Sequence, residues 1–304
     1  MSDTTLDWYG CSTFGLHTAG IHILLDAYID RAANAAGPSP AVGAADIEQC
    51  DYIIVGHSHF DHLFGAEQVM ANTDATLIGS YETLRVMEAA GVAVDRMIPV
   101  AGGETIELER AEGTVRLSVF PSQHSCVWSQ GPMAQADEVC IGDLGVTHQE
   151  RQERMAKLME YLGTELAPAA IEHMMLSMVG HSDRGDGGAL VFLLDVPDGR
   201  LLFQDTSGHW SGLLRNLRPD VAILAAAGRG NIDGEPIQGS LAQFVGRQAD
   251  MLRPRKVVLS HHDDWLPGFS VPTDVAPIRD ELARVVPTTE LLEIGYLAGT
   301  PIFQ

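Results

Sequence analysis

Three histidines and an aspartate, His57, His59, Asp61 and His62, stand within six consecutive positions of the stretch VGHSHFDHLFG, residues 55–65. Imidazole nitrogens mixed with carboxylate oxygens are the donor set of a divalent transition metal. His57 and His59 are one residue apart, so in extended backbone both rings project to the same side. Asp61 and His62 follow as the chain turns into the next element. So short a loop cannot wrap all four groups around one ion. Two adjacent ions can share them, one on His57 and His59 and the other on Asp61 and His62, each still needing roughly two more ligands.

Three further candidates end apolar runs. His124 follows LSVFPSQ, Asp205 follows RLLFQ and His261 follows KVVLS. A ligand-type side chain placed directly after a buried strand belongs to a site built on the rim of a sheet, with Asp205 placed to bridge two ions. A lone histidine after a strand is more often structural, but three such residues beside a complete H-x-H-x-D-H weigh the other way. His181, in the turn-rich HSDRGDGG, lies between the cluster and Asp205 and competes with His124. His209 and His262 are spare histidines close to the ligand positions.

The elements that must position these groups are legible from periodicity. TLDWYG, TFGLHTAG, IHILLDAY and DYIIVGH read as strands before residue 60, with TAG as a hairpin turn. LFGAEQVMAN has helical spacing, ATLIGS is a strand, and SYETLRVMEAAGV is a helix opened by Ser80 and closed at Gly91. TIELE and VRLSVFPS lead to His124. In the second half ALVFLLDV, RLLFQDT, VAILAAAG and KVVLSHH are strands and SLAQFVGRQADML is a helix. β-rich meanders followed by helix–strand alternation, twice over, predict an α+β fold with two sheets face to face and helices outside. A helical insertion, about residues 130–185, separates the halves. Its first helix opens with Thr147 and Glu150 as a capping box and has Met155, Leu158, Met159 and Leu162 on one face. Its second helix, after Pro168, repeats the spacing with Ile171, Met174, Met175 and Met178. Methionine-rich faces adapt to irregular partners, so the hairpin is a candidate lid or homodimer surface.

Composition narrows the class. The chain has 304 residues, 45% of them hydrophobic, enough to bury a large core. It carries 19 basic against 41 acidic residues, a net charge of −22, and its two lysines are Lys157 and Lys256. Such a chain has no basic stripe for a phosphate backbone, so nucleic acid is not the expected partner. No apolar run reaches the 18 residues of a membrane span, and MSDTTLDWYG has neither the basic nor the apolar part of a secretory leader. The four cysteines, Cys11, Cys50, Cys126 and Cys140, lack C-x-x-C spacing. A cytoplasmic protein with free thiols is the expectation, Cys126 included.

Taken in order, His57, His59, Asp61, His62, His124, Asp205 and His261 resemble the ligand set of the metallo-β-lactamase superfamily of hydrolases. WYGCSTFGLHTAGIHILLDAY resembles its opening hairpin and aspartate-bearing strand, and GGALVFLLDVPDGRLLFQDTSG its strand pair leading to the bridging aspartate. The likeness spans nearly the whole chain outside residues 130–185 and is closest to the branch of ascorbate-phosphate lactonase-like hydrolases. It implies one domain over residues 1–304 with a four-layer αββα sandwich. It implies a first metal on His57, His59 and His124, a second on Asp61, His62 and His261, and Asp205 between them. Gln204, where the family usually has glycine, is a departure beside that bridge.

The resemblance also implies two divalent ions, most readily Zn²⁺, with Mn²⁺ or Fe²⁺ compatible. Cations about 4 Å apart lower the pKa of a shared water enough to provide hydroxide near neutral pH. Asp61 and His262 are the candidate catalytic groups, Asp61 by orienting the nucleophile or passing its proton. Trp128, His209, Trp210 and Trp265 follow the ligand positions and are expected to wall an apolar pocket. The expected substrate is a small, weakly charged lactone, ester or amide. The alternatives are a phosphodiesterase or nuclease-like hydrolase, its phosphate held by Arg184 or Arg229, and a non-catalytic metal-binding protein.

Overall fold

In a computed structural model, which describes residues 4–37, 41–129, 134–178 and 186–304, two seven-stranded sheets pack face to face. Across the first run Thr300–Pro301, Thr5–Trp8, Phe14–Thr18, Ile21–Leu25, Tyr52–Ile54, Thr76–Gly79 and Met97–Pro99. Across the second run Glu290–Leu291, Lys256–Ser260, Val221–Ala225, Gly199–Gln204, Leu190–Val196, Gly113–Pro121 and Thr105–Arg110.

The period of two along these strands makes the layers. Leu190, Phe192 and Leu194 point into the core between the sheets with Leu201, Phe203, Val221 and Ile223. Their alternates, Val191, Leu193, Leu202, Ala222 and Leu224, face outward onto the helices Leu241–Leu252 and Ala276–Val285. On the other sheet Tyr52 and Ile54 face inward, whereas Ile53 and Val55 meet an outer layer that includes Ala66–Asn72 and Tyr81–Ala89. The result is the four-layer αββα sandwich expected from the sequence.

Strand direction decides where chemistry can happen. Ile21–Leu25, Tyr52–Ile54 and Thr76–Gly79 are mutually parallel, as are Gly199–Gln204, Val221–Ala225 and Lys256–Ser260. Gly113–Pro121 runs the same way as Gly199–Gln204, because each is antiparallel to Leu190–Val196. The carboxyl ends of these strands carry Asp26, His57, His124, Asp205 and His261, and crevices outside such ends are where parallel sheets place their ligands. Two backbone bonds tie the rims together there, from Leu190 N to Gly56 O (2.9 Å) and from Ser58 N to Gly187 O (3.0 Å).

Several short elements carry no readable period. The strand Met97–Pro99, the edge strands Glu290–Leu291 and Thr300–Pro301, and a small three-stranded sheet of Gly208–His209, Asn231–Ile232 and Glu235–Pro236 are each two or three residues long. Periodicity needs four or more residues to register. The helix Ala276–Val285 also went unpredicted, although Pro277 in its first turn and the buried Ile278 and Leu282 mark it.

The insertion contains the two expected helices, His148–Glu165 and Pro168–Ser177, and Thr147 and Glu150 form the expected capping box. Its apolar face needs correcting. Leu162 is buried and Leu158 packs beside it, but Met159 is exposed. The second helix buries Ala170, His173 and Ser177 and leaves Met175 and Met178 in solvent. Its inward face is polar at one point because His173 Nε2 meets the hydroxyl of the fully buried Tyr28 at 2.8 Å. Leu162, Leu166 and Ala170 close over Tyr28, Trp265 and Leu266, so the hairpin is tied to the end of the sandwich that carries the histidines.

Candidate metal centre

His59 caps a one-turn helix, Phe60–Leu63, which begins as the chain leaves Tyr52–Ile54. The turn brings Asp61 and His62 onto the same rim as His57. Gly56 permits it, because a Cβ there would fall 2.1 Å from the Asp205 carboxyl group. The backbone thus lets Asp205, from the other sheet, reach His57.

The groups form two sets. In the first, His57 Nε2 lies 3.2 Å from His59 Nδ1, and the ring of His124 is 4.8 Å from that of His57 and 4.6 Å from that of His59. The opposite nitrogens are committed: His57 Nδ1 donates to Asp205 Oδ2 at 2.5 Å and His124 Nδ1 to the Ser125 carbonyl at 2.9 Å. With these tautomers, assigned from the partners, Nε2 of each ring keeps its lone pair. Burial pushes both imidazoles down to about 3, helped by His62 beside His57 and by His57 beside His124. They are neutral and able to ligate.

The second set gathers Asp61, His62 and His261. His62 Nε2 is 3.0 Å from His261 Nε2 and 3.5 Å from Asp61 Oδ2, and His261 Nε2 is 3.8 Å from the same oxygen. His261 adopts a left-handed conformation, φ +59°, just past its strand. Non-glycine residues hold that conformation chiefly where surrounding structure imposes it, often at functional sites. His62 Nδ1 faces Asp26 Oδ2 at 2.7 Å and Ser12 Oγ at 2.9 Å. Burial disfavours charge on His62, yet Asp61, Asp26 and Asp205 together hold its pKa well above the ordinary value.

Charge supplies the test of whether a cation fits. Asp26 and Asp205 are fully buried and Asp61 nearly so, while His57, His124 and His261 are held neutral by burial. Asp205 Oδ1 is buried without a hydrogen-bond partner among the described residues. Burial raises the Asp26 carboxyl to about 7 and the Asp61 carboxyl above its ordinary range, whereas His57 and His62 hold that of Asp205 low despite its burial; carboxyl groups pressed toward neutrality beside neutral imidazoles are short of positive charge where that shortage is costly. Divalent cations between facing imidazole nitrogens meet the need, so the donor set fits metal.

The structure thus brings together His57, His59, Asp61, His62, His124, Asp205 and His261. Asp205 stands across the rings from the Nε2 atoms, its Oδ2 on Nδ1 of His57 and 3.2 Å from Nδ1 of His62. His262 goes elsewhere. Its neighbour His261 turns inward, and its own ring stacks on Trp8 at 4.6 Å. His181 and Arg184 lie outside the described residues. Gln204 points to the helical side, where its carbonyl accepts from Gln248 Nε2 at 2.6 Å and its amide donates to Gly208 O.

Of the expected aromatic wall, Trp265 alone borders the cluster, a buried ring 5.6 Å from that of His261 and 5.7 Å from that of Tyr28. Trp128 carries Arg151 over its ring at 4.2 Å, His209 packs on Phe244, and Trp210 is exposed. Instead a cavity of about 360 Å³ opens beside His124, with Tyr81, Glu82, Gln123 and Asp186 in its walls. Arg229 is buried and engaged with Ser129, Asp143 and the carbonyls of Gly142 and Ile237. Asp26 is the functional residue that sequence reasoning passed over. The rule that found Asp205, an apolar strand ending in a ligand-type residue, applies equally to IHILLD.

Comparison with known proteins bears on this arrangement. Residues 22–203 match the family described as the beta-lactamase superfamily domain. The chain belongs to that family. A metal-dependent hydrolase of the UPF0173 group from Roseiflexus castenholzii is 32% identical over 114 residues, 37% of this chain and 46% of that protein. The chain thus spans about half the length of the curated relatives it matches. Among solved structures, the metallo hydrolase Igni18 of Ignicoccus hospitalis superposes with a TM-score of 0.59 at 16% identity, covering 96% of each chain. The diiron β-hydroxylase CmlA of Streptomyces venezuelae gives 0.53 at 14% identity, over 98% of this chain and 53% of the other. One fold therefore carries both hydrolysis and oxidation, and the reaction must be argued from the site.

Proposed function

We propose that this protein is a metal-dependent hydrolase that cleaves a small lactone, ester or amide at two adjacent divalent cations. The carrying observation is two donor sets on one rim, His57, His59 and His124 within ligand reach of one another beside Asp61, His62 and His261, whose facing atoms lie 3.0 to 3.8 Å apart. The name of the Roseiflexus relative, a metal-dependent hydrolase, points the same way. Asp205, whose Oδ2 holds Nδ1 of His57 and lies 3.2 Å from Nδ1 of His62, touches one ring of each set and is a candidate ligand through Oδ1, which has no hydrogen-bond partner among the described residues. Bound cations would supply Lewis acidity and a water of lowered pKa.

The chain's own residues do the rest. Asp205 and the Ser125 carbonyl fix the tautomers of His57 and His124, and Asp26 does the same for His62. Asp61, beside His62 and His261, orients the attacking water or carries its proton to the leaving group. The cavity beside His124 receives the substrate. Its walls carry Asp186 and Glu82, the latter paired with Arg85, and no lysine or arginine among the described lining residues, and Arg229 is not free to hold a phosphate. Lactone, ester or amide therefore stands ahead of phosphodiester.

Metal analysis of the purified protein, followed by turnover of lactone, ester, amide and phosphodiester panels with and without chelator, tests the reading. About two ions per chain and chelator-sensitive carbonyl hydrolysis are the expected result. Full activity in metal-free protein would refute it.

A further inference from the structure

Behind the second donor set lies a cluster of rings, and the insertion supplies one of them. The one-turn helix that carries Asp61 and His62 has Phe60 at its start and Phe64 directly after its end. Phe60 packs edge-to-face with Tyr28 at 6.1 Å and lies 6.0 Å from Trp265, while Phe64 packs edge-to-face with His173 at 5.5 Å. Trp265 in turn lies 5.6 Å from His261 and 5.7 Å from Tyr28. Tyr28, fully buried, is the centre of this cluster, and its hydroxyl meets His173 Nε2 at 2.8 Å. We propose that His173 is a positioning residue for the second cation, holding Asp61, His62 and His261 in place through Tyr28, Phe60, Phe64 and Trp265; this rests on the two-cation reading above.

The ring distances fall within the roughly 4.5–7 Å over which aromatic rings attract one another in edge-to-face or tilted pairs. A displacement of Tyr28 therefore reaches both segments that supply the second set, the Phe60–Leu63 turn and the loop after His261. Tyr28 also lies two residues past Asp26, whose carboxyl group holds Nδ1 of His62, and its own N–H donates to Thr13 Oγ1 at 2.9 Å. A buried tyrosine hydroxyl needs a hydrogen-bond partner, and leaving it without one is costly. His173 meets that need from 145 positions away. It shares the inward face of its helix with Ala170 and Ser177, whereas Met175 and Leu176 are exposed. An apolar side chain would serve packing alone; the imidazole adds the partner for the hydroxyl. The rings of His57 and His124 pack instead on one another and on His59, so the effect belongs to one of the two cations.

Cobalt(II) titration of the full chain, followed by its visible absorption, tests this. The unsubstituted protein should take up two ions. His173→Phe keeps a ring but removes the partner of the Tyr28 hydroxyl. It should weaken one ion about 3- to 10-fold, less than the roughly 10- to 100-fold of a residue bonded directly to a ligand, and shift the spectrum of that ion alone. His173→Gln, which offers an amide to the same hydroxyl, should restore affinity and spectrum, and Met175→Ala on the exposed side of the helix should change neither. Unaltered affinities and spectra in His173→Phe, or equal weakening of both ions, would overturn the proposal. Tyr28→Phe removes only the hydroxyl and should give the same shift; an unchanged spectrum there overturns the proposal even where His173→Phe does not fold. Fewer than two cobalt ions in the unsubstituted protein would instead overturn the two-cation reading.

Discussion

His62 shows how much of the candidate site rests on residues that need not touch an ion. Its Nδ1 is bonded to Asp26, so its Nε2 is free to face His261 and Asp61. Asp26→Ala removes that anchor while leaving the two donor sets intact. Metal affinity should fall about 10- to 100-fold, read by competition with a chromophoric chelator; wild-type affinity would mean that Asp26 merely packs. His209 offers a separate test. It is buried, neither ring nitrogen has a partner among the described residues, and burial pushes it down to about 4 from 6.5. The unfolded chain therefore takes up this proton first. The stability at stake is complete above pH 6.5 and is lost as pH falls toward 4, by up to about 3 kcal/mol. Thermal midpoints of His209→Leu should show a shallower slope than wild type across that window. Parallel slopes would assign the acid sensitivity to other groups.

At the scale of elements, two close approaches hold the rim together. Gly56 follows the strand Tyr52–Ile54 just before His57, and its missing Cβ is the space into which the Asp205 carboxyl fits. In Gly56→Ala one of the two must move, so bound metal should drop while circular dichroism stays native; normal metal content would show that the loop yields freely. The second approach ties the start of the insertion to the loop between Val221–Ala225 and Asn231–Ile232. Arg229 bonds Asp143, Ser129 and two carbonyls, and Asp143 also takes Arg154 from the first insertion helix at 2.8 Å. Arg229→Met breaks the pair and leaves polar groups unsatisfied. The loss should be about 3 kcal/mol in denaturant unfolding, the low end for a buried pair because Asp143 is partly exposed. A change under 1 kcal/mol would show the network to be dispensable.

For the whole molecule, cations would join the two sheets. His57, His59, Asp61 and His62 come from one, and His124, Asp205 and His261 from the other. Ions bound only by the folded state stabilise it by mass action, about 2.7 kcal/mol per site at a free concentration 100 times Kd. Stripping metal should therefore lower the thermal midpoint by several degrees, and readdition should restore it. Coincident melting curves for stripped and reloaded protein would mean the two sheets hold together without the ions. Among the described residues no helix is long and apolar enough to cross a membrane.

The sequence by itself determined the layers and the ligand types. The alternation in ALVFLLDV and RLLFQDT sorts one face to the inner core and the other to helices, whatever the rest of the chain does. H-x-H-x-D-H is equally local, because its four side chains are set by one strand end and one turn. What lay beyond the sequence was contact between distant segments. Asp26 and Cys11 reach His62 and His261 across 36 and 250 positions, separations over which no period or spacing carries information. His261 and His262 are adjacent and chemically identical, yet one joins the cluster and the other stacks on Trp8. The left-handed turn at His261, imposed by packing at the sheet rim, made that choice. The aromatics after the ligands part for the same reason: proximity along the chain says nothing of direction, so Trp265 packs on His261 while Trp128 and His209 turn to Arg151 and Phe244.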